Sequence, residues 1–272
     1  MHTRIDKKIG LIAGNRKFPL IFAEAAKNQG YFVVGVGIKG DTSSALKRLV
    51  DKLYWIQIGD FSKLACIFKQ EGIERVVMAG QVSPARLFSR QVQSNREIRS
   101  LLDSMQDRKP ATIFSWIADK LEEEGLKLID STTFIQEHLP KKGVLTRRQP
   151  SLLEWEDIKF GLGLARDIAG LDIGQTVAVK DKAVIAVEGL EGTDNLIRRA
   201  GKLARGGITV VKVSRPKQDM RFDIPVVGFA TISNLVKARA RCLAIEANKT
   251  LFIDKEKSLL FADRNRLSVV AV

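Results

Sequence analysis

The nine residues Lys217-Gln218-Asp219-Met220-Arg221-Phe222-Asp223-Ile224-Pro225 set two carboxylates around an arginine, directly after an apolar, strand-like run. Metal-assisted phosphate chemistry uses that combination: a cation and a guanidinium neutralise charge while a carboxylate orients water. An ordinary solvated loop carries the same residue types. A second acidic segment, Glu188-Gly189-Leu190-Glu191-Gly192-Thr193-Asp194, precedes a pattern that predicts a helix bearing Arg198 and Arg199. Its glycines let backbone approach a ligand, Thr193 suits a helix cap, and Glu191 with Asp194 offers hard oxygen ligands. The plain alternative is a helix start whose acids match the dipole. Read together, Asp219, Asp223, Glu191 and Asp194 are the candidate metal ligands, with the basic run Arg215-Pro216-Lys217 close by in sequence.

A third segment, Ala13-Gly14-Asn15-Arg16-Lys17-Phe18-Pro19, places a small residue and two cations where a strand passes into a helix. Unsatisfied N–H groups and the helix dipole favour phosphate there. The second and third glycines of the dinucleotide fingerprint are missing, and the segment is not a P-loop. An ordinary strand-to-helix turn explains it equally.

The chain has two histidines, His2 and His138, which nearly excludes a histidine triad or a multi-histidine metal site. Oxygen ligands then point to Mg²⁺ or Mn²⁺. Its two cysteines, Cys66 and Cys242, lie in separate apolar segments and are expected to be buried free thiols. No apolar run approaches the roughly 18 residues of a membrane-spanning helix, and Met1 to Lys8 lacks a signal-peptide core, so cytoplasmic residence is expected.

A net charge of +14 is large for 272 residues and is spread along the chain: residues 1–130 carry 21 basic and 15 acidic side chains, and residues 131–272 carry 24 and 16. An even excess favours anionic partners in general, whether nucleic acid, an acidic membrane surface or a phosphorylated substrate. With aromatic residues at 7% and no basic and aromatic interleaving, a nucleic-acid-binding α/β protein without hydrolase activity is the second reading. A nicotinamide-dependent oxidoreductase is a third, and the incomplete glycine pattern at Gly14 opposes it.

These segments need a scaffold. Apolar runs at 9–13, 32–38, 53–58 and 75–79 alternate with helical patterns from Pro19 and at 61–70, which predicts a Rossmann-like parallel sheet with helices on both faces. Ligands in such sheets collect beyond the carboxyl ends of the strands, where Gly14 to Lys17 and Gly80 to Pro84 fall. A polar stretch from Ser89 to Arg108 leads to a predicted helix at 111–124 and a short strand near 126–129. Periodicity fades between Thr133 and Pro150, which divides the chain into an N-terminal domain, 1–137, and a C-terminal α/β domain, 138–272, carrying the acidic motifs. In the latter the pattern predicts a helix at 153–169, a hairpin of 176–180 with 183–187, strands at 208–213, 242–246, 250–253 and 267–271, helices at 196–204, 232–240 and 255–265, and a mixed sheet.

The chain resembles the LpxI-type UDP-2,3-diacylglucosamine pyrophosphatases of lipid A biosynthesis in Gram-negative bacteria. The resemblance rests on Ile9-Gly10-Leu11-Ile12-Ala13-Gly14 with Phe18-Pro19, Arg75-Val76-Val77-Met78-Ala79-Gly80-Gln81-Val82, Leu145-Thr146-Arg147-Arg148-Gln149-Pro150, Glu191-Gly192-Thr193-Asp194, and Gln218-Asp219-Met220-Arg221-Phe222-Asp223-Ile224-Pro225. These motifs occur in order and span essentially the whole chain. The resemblance implies a magnesium-dependent hydrolase that yields UMP and 2,3-diacylglucosamine 1-phosphate (lipid X), built as two domains with the lipid-bearing product between them. It puts Asp219, Asp223 and Arg221 at the chemistry, and substrate contacts on Gly14, Asn15, Arg16, Lys17, Gly80, Gln81, Arg147, Arg148, Gln149, Gly192, Thr193 and Gln218. The basic loop Asn15-Arg16-Lys17 is less glycine-rich than the family pattern leads one to expect. A lipid-linked UDP-sugar would then be the substrate, the anionic inner leaflet of the inner membrane a peripheral partner, nucleic acid not a partner, and a homodimer a further expectation.

Overall fold

The computed structural model describes residues 7–81, 110–216 and 218–272. The expectations for Val82 to Pro84, the polar stretch from Ser89 to Arg108, Lys217 and the first residues fall outside these ranges. Contacts divide the chain into two compact units: residues 1–135 with Asp219–Asp223, and residues 136–218 with 224–272.

The N-terminal unit is built on a five-stranded sheet in the order β3-β2-β1-β4-β5, with every pairing parallel. The strands are β1 (Lys8–Ala13), β2 (Phe32–Ile38), β3 (Lys52–Ile56), β4 (Arg75–Ala79) and β5 (Lys127–Leu128). Near-continuous burial along β1 and β2 explains their unbroken Ile, Leu and Val content, since a parallel sheet covered on both faces has no polar side. Helices α1 (Phe18–Asn28), α2 (Phe61–Gln70) and α3 (Pro110–Glu123) connect them, together with a 3₁₀ turn at Ser44–Arg48. Pro19 sits in the first turn of α1, where its missing N–H costs nothing. Phe68, Leu64, Ile117 and Leu121 of the helices meet Val34, Val36 and Val76 of the strands in one core cluster. The chain order reverses between β1 and β4, so the crevice at their carboxyl ends is the topological switch point.

The C-terminal unit carries a six-stranded mixed sheet, β6-β13-β11-β9-β7-β8. Its strands are β6 (Gly143–Val144), β7 (Thr176–Lys180), β8 (Ala183–Val187), β9 (Thr209–Lys212), β11 (Cys242–Ile245) and β13 (Ser268–Ala271), and β10 (Val226–Val227) pairs separately with β12 (Leu251–Phe252). β9, β11 and β13 run parallel, while β7, β8 and β6 are antiparallel to their neighbours. Helix α4 (Leu152–Gly170) covers one face through Ile158, Ala165 and Ala169. Helices α5 (Thr193–Ala204), α6 (Phe229–Lys237) and α7 (Lys255–Arg264) cover the other through Leu196, Ile197, Ile232, Leu235 and Ala262.

Local signals set the boundaries. Ser151 and Glu154 form a reciprocal capping box that starts α4. Asp181 and Lys182 both take positive φ, 52° and 56°, which turns β7 into β8 with the twist a two-residue hairpin requires. The α/β class and the mixed second sheet match the pattern read from sequence. Two details differ. The two-residue strands β6 and β10 are too short to leave a periodicity. Cys66 is exposed, because it lies on the outer side of α2; Cys242, on a central strand, is buried, and burial drives its thiol pKa far up.

Candidate functional site

The acidic loop is positioned by the N-terminal unit. Contacts assign Asp219–Asp223 there, although sequence order places this loop within the C-terminal half. The physical reason is specific bonding. The fully buried Ser131 donates its backbone N–H to Met220 O at 3.1 Å, and its hydroxyl lies 2.5 Å from Arg221 O and 2.8 Å from Met78 O. Phe222 packs into the N-terminal core, its ring centroid 5.7 Å from that of Phe114 on α3. Ser131 was missed in the sequence because a single serine after a short strand carries no pattern.

Within the loop, Arg221 grips Asp219 from the side. Its Nε stands 3.0 and 3.1 Å from the two carboxylate oxygens, its Nη2 2.8 Å from Oδ2, and its backbone N–H 3.0 Å from Oδ1. Nη1 reaches Glu122 Oε1 on α3 at 3.2 Å. Burial works to raise the Asp219 pKa, but the side chain and backbone N–H of Arg221 outweigh it and hold the carboxyl below the usual carboxylate range. The Asp223 N–H donates to Asp219 O at 2.9 Å, which folds the two acids of the motif onto one turn.

The glycine loops of the same unit meet at the switch point. Gly14 N–H donates to Ala79 O at 2.8 Å and Asn15 N–H to Gln81 O at 2.7 Å, an isolated bridge joining the ends of β1 and β4. A Cβ on Gly14 would stand 2.5 Å from Gln81 O, and one on Gly80, where φ is +89°, 2.5 Å from Asn15 O. Arg16 adopts a positive φ of 66°. Asn15 Nδ2 lies 3.5 Å from Asp41 Oδ1, beyond the end of β2, and Asn15 Oδ1 is shielded from solvent without a hydrogen-bond partner. Lys17 begins α1 without a side-chain cap. Gly14, Asn15, Arg16, Lys17, Gly80 and Gln81 are thus brought to one end of one sheet.

The remaining expected residues lie in the C-terminal unit. Gly192, at φ +80°, precedes α5. Glu191 is ion-paired with Arg199, which holds its carboxyl below the usual range. Asp194 Oδ1 is shielded and without a hydrogen-bond partner. Thr193 donates to Glu188 Oε1 at 2.8 Å and accepts from Lys212 Nζ at 2.8 Å. Gln218 Oε1 accepts from the Arg215 N–H at 2.6 Å and from Gln175 Nε2 at 3.3 Å. Arg147 and Gln149 are exposed, and the Arg147 N–H donates to Asp263 Oδ1 at 2.7 Å. Arg148 is bound up in the fold: Nη1 and Nη2 reach Glu154 at 2.9 and 2.6 Å, and Nη1 also reaches Arg241 O at 3.1 Å. Its neighbour Glu154 is the reason its own pKa is raised.

For a metal, the donor chemistry of Asp219 and Asp223 fits a hard divalent cation. Mg²⁺ typically takes one or two carboxylates and completes its shell with water and substrate phosphates, so a pair on one turn is an adequate protein contribution. Glu191 and Asp194 belong to the other unit, and among the described residues no group of three or more His, Cys, Asp or Glu gathers as a metal cluster.

A parallel Rossmann-like unit with an aspartate–arginine loop, followed by a mixed α/β unit, defines a two-part α/β protein. The chain belongs to the LpxI family: the LpxI N-terminal domain matches residues 8–138 and the LpxI C-terminal domain residues 141–270. It is 29% identical over 277 aligned positions, covering 98% of both chains, to the UDP-2,3-diacylglucosamine pyrophosphatase LpxI of Caulobacter vibrioides. Among solved structures, a glycinamide-RNase-transformylase T from Mycobacterium tuberculosis shares 14% identity over 66% of this chain and 44% of its own, at a TM-score of 0.28. The biotin carboxylase domain of a thermophilic 2-oxoglutarate carboxylase shares 12% over 63% and 34%, at 0.29. This chain spans less than half of either, and at those scores neither likeness bears on its chemistry.

Proposed function

We propose that this LpxI-family enzyme hydrolyses the pyrophosphate of UDP-2,3-diacylglucosamine, releasing UMP and 2,3-diacylglucosamine 1-phosphate, with Mg²⁺ or Mn²⁺. The observation that carries this is the Asp219–Arg221 fork inside the acidic motif, in a chain that aligns end to end with a pyrophosphatase of that name. Asp219 and Asp223 would hold the metal, which supplies charge neutralisation at the phosphoryl oxygens. Arg221 is pre-oriented by Asp219 and Glu122, so the singly charged phosphates of the substrate compete with two carboxylates for a guanidinium that is already in place. As water attacks the sugar-side phosphorus, the bond to the bridging oxygen breaks and UMP leaves with that oxygen. Whichever aspartate faces the water takes its proton, and the donors of Arg221 act more strongly as charge gathers on the leaving phosphate.

The +14 charge supports work at an anionic lipid surface, where the two acyl chains of the substrate reside, and no helix among the described residues is long and apolar enough to cross a membrane. The test is hydrolysis of UDP-2,3-diacylglucosamine by wild type, Asp219→Ala and Asp223→Ala, with and without Mg²⁺, in ¹⁸O-labelled water. Metal-dependent turnover, label in 2,3-diacylglucosamine 1-phosphate and loss in at least one variant are expected. Folded wild type without turnover, or three equally active proteins, would overturn the reading.

A further inference from the structure

Three helices of the C-terminal unit end on an arginine whose backbone is left-handed. Arg205 after α5, Arg239 after α6 and Arg266 after α7 have φ of 55°, 53° and 55°. Glycine or asparagine suits such a position, because a β-carbon crowds the following carbonyl there. A cation near a helix C-terminus interacts well with the dipole, which accounts for the basic residues. It does not account for the apolar side chains exposed beside them.

Each of these helices returns the chain to the start of a parallel strand, α5 to β9, α6 to β11 and α7 to β13, so all three C-termini lie at the amino end of the sheet. Gly207 N–H donates to Arg239 O at 2.8 Å, Arg241 N–H to Ile208 O at 2.9 Å and Ser268 N–H to Arg241 O at 3.0 Å, which ties the strand entries side by side. The turn between β7 and β8 and the first turn of α4 fall at the same end. Lys182 N–H donates to Asp157 Oδ1 at 2.7 Å, and Arg148, ion-paired with Glu154, reaches Arg241 O at 3.1 Å. Here α4 leaves Leu152 84%, Leu153 67% and Trp155 40% exposed, and the last turn of α5 leaves Leu203 64% exposed. Lys202, Arg241 and Arg264 are exposed together with the three left-handed arginines.

The acids in these segments do not cancel that charge. Glu154 and Asp157 are buried, Asp263 is half-buried against Arg147, and of the exposed pair, Asp181 and Glu156, the latter is ion-paired with Lys182 at 3.0 Å. A second copy of the chain meeting this end with its own like-charged end would be repelled. Single-stranded nucleic acid wants a row of stacking platforms, which Trp155 alone does not supply. A bilayer with anionic headgroups matches both features: the headgroups face the arginines, while leucine and tryptophan enter the interfacial layer.

We propose that the amino end of the C-terminal sheet docks the protein on an anionic phospholipid surface, with Arg205, Arg239 and Arg266 on the headgroups and Leu152, Leu153 and Trp155 in the interface. Choosing a bilayer among polyanions rests in part on the pyrophosphatase reading, whose substrate carries two acyl chains.

The test is co-sedimentation of the full chain with sucrose-loaded vesicles of phosphatidylcholine, alone or with about 30 mol% phosphatidylglycerol, an anionic fraction that gives the surface a negative potential. Wild type is expected to bind the anionic vesicles and not pure phosphatidylcholine, and to be released as salt rises from about 0.05 to 0.5 M. The Arg205→Asn/Arg239→Asn/Arg266→Asn variant keeps a residue suited to the left-handed backbone, so its melting should be unchanged. Its binding should fall about 100-fold, at about fivefold for each cation near the surface. Leu152→Gln/Leu153→Gln alters two side chains that are largely in solvent, and should lose about 10-fold with an unchanged melt. Wild type that ignores the anionic vesicles, or binds both kinds equally, overturns the proposal, as does a triple variant within about threefold of wild type. Wild type that binds a single-stranded RNA but not the anionic vesicles overturns it too, in favour of a nucleic-acid face. Should the triple variant lose its melting transition, Leu152→Gln/Leu153→Gln decides: binding within about twofold of wild type removes the docking face, and a loss of about 10-fold sustains it. Hydrolysis of UDP-2,3-diacylglucosamine in detergent micelles separates the two readings. An inactive wild type that binds the anionic vesicles removes the pyrophosphatase reading and sustains this inference, whereas an active wild type that does not bind removes this inference alone.

Discussion

Arg221 holds Asp219, two residues before it in the chain, with Nε 3.0 and 3.1 Å from the two carboxylate oxygens and Nη2 2.8 Å from Oδ2. Each carboxylate oxygen therefore already accepts from a cation. The pair is about one-third exposed on each side, so water screens it and exchange is not blocked by burial. Lysine cannot replace this fork, because an ammonium is a point charge without the planar pair of donors.

Arg221→Lys should accordingly keep the fold and lose activity. We expect kcat/KM to drop about 10- to 100-fold, the range for removing one oriented donor from developing phosphoryl charge. Circular-dichroism melting should move by only a few degrees, because Ser131 and Phe222 anchor the loop independently. Wild-type kinetics in this variant would show that the fork has no part in turnover.

The same pair makes stability depend on acid. The folded-state pKa of Asp219 lies below the unfolded value, so its contribution is fully present above the ordinary carboxylate pKa, near about 4, and is lost as pH falls through the lower folded value. Urea unfolding of wild type and Asp219→Asn should show a gap at pH 6 that closes towards pH 3. A gap that persists unchanged at pH 3 would mean the guanidinium does not favour the ionised acid.

Gly80→Ala tests the meeting of the two glycine loops. The new Cβ would approach Asn15 O to 2.5 Å and Pro19 Cγ to 2.9 Å, at a φ of +89° that alanine resists. A loss of about 2 kcal/mol in unfolding free energy is expected from overpacking and backbone strain together. Gly30→Ala is the control: it shares the positive φ, +79°, with nothing within 4 Å, and should lose about half as much.

Arg148→Ala should act on stability before kinetics. Its guanidinium joins the capping-box residue Glu154 to Arg241 O on the neighbouring backbone, and Glu154 is only 10% exposed. Removing charge-assisted hydrogen bonds of this kind costs about 2–3 kcal/mol. Chemical denaturation should show that loss. Under conditions where the variant is folded, a KM raised more than about 10-fold would instead assign Arg148 to substrate.

Much of the scaffold was written into local pattern. The limits of β2, α2, β4 and both hairpin strands agree with the apolar runs that predict them, because buried parallel strands and amphipathic helices need those residues at those spacings. Gly14 and Gly80 could be placed at strand ends, yet their direct approach to each other's loops comes from a pairing between β1 and β4, more than sixty residues apart in the chain. The exposure of Cys66 was not legible either, since an apolar neighbourhood in sequence does not reveal which side of a helix faces water.

By itself the sequence determined the element types, the α/β class, the two halves and the Asp219-Met220-Arg221-Phe222-Asp223 motif, all of which depend on residues close together in the chain. Tertiary structure decided which unit holds that motif: Ser131 and Phe114 take it into the N-terminal core, and hydrogen bonds to a serine some ninety positions away leave no local trace. It also decided that Lys212, one charge in an apolar strand, is buried and donates to Thr193 rather than to solvent, because strand parity and the start of α5 together fix where the ammonium ends.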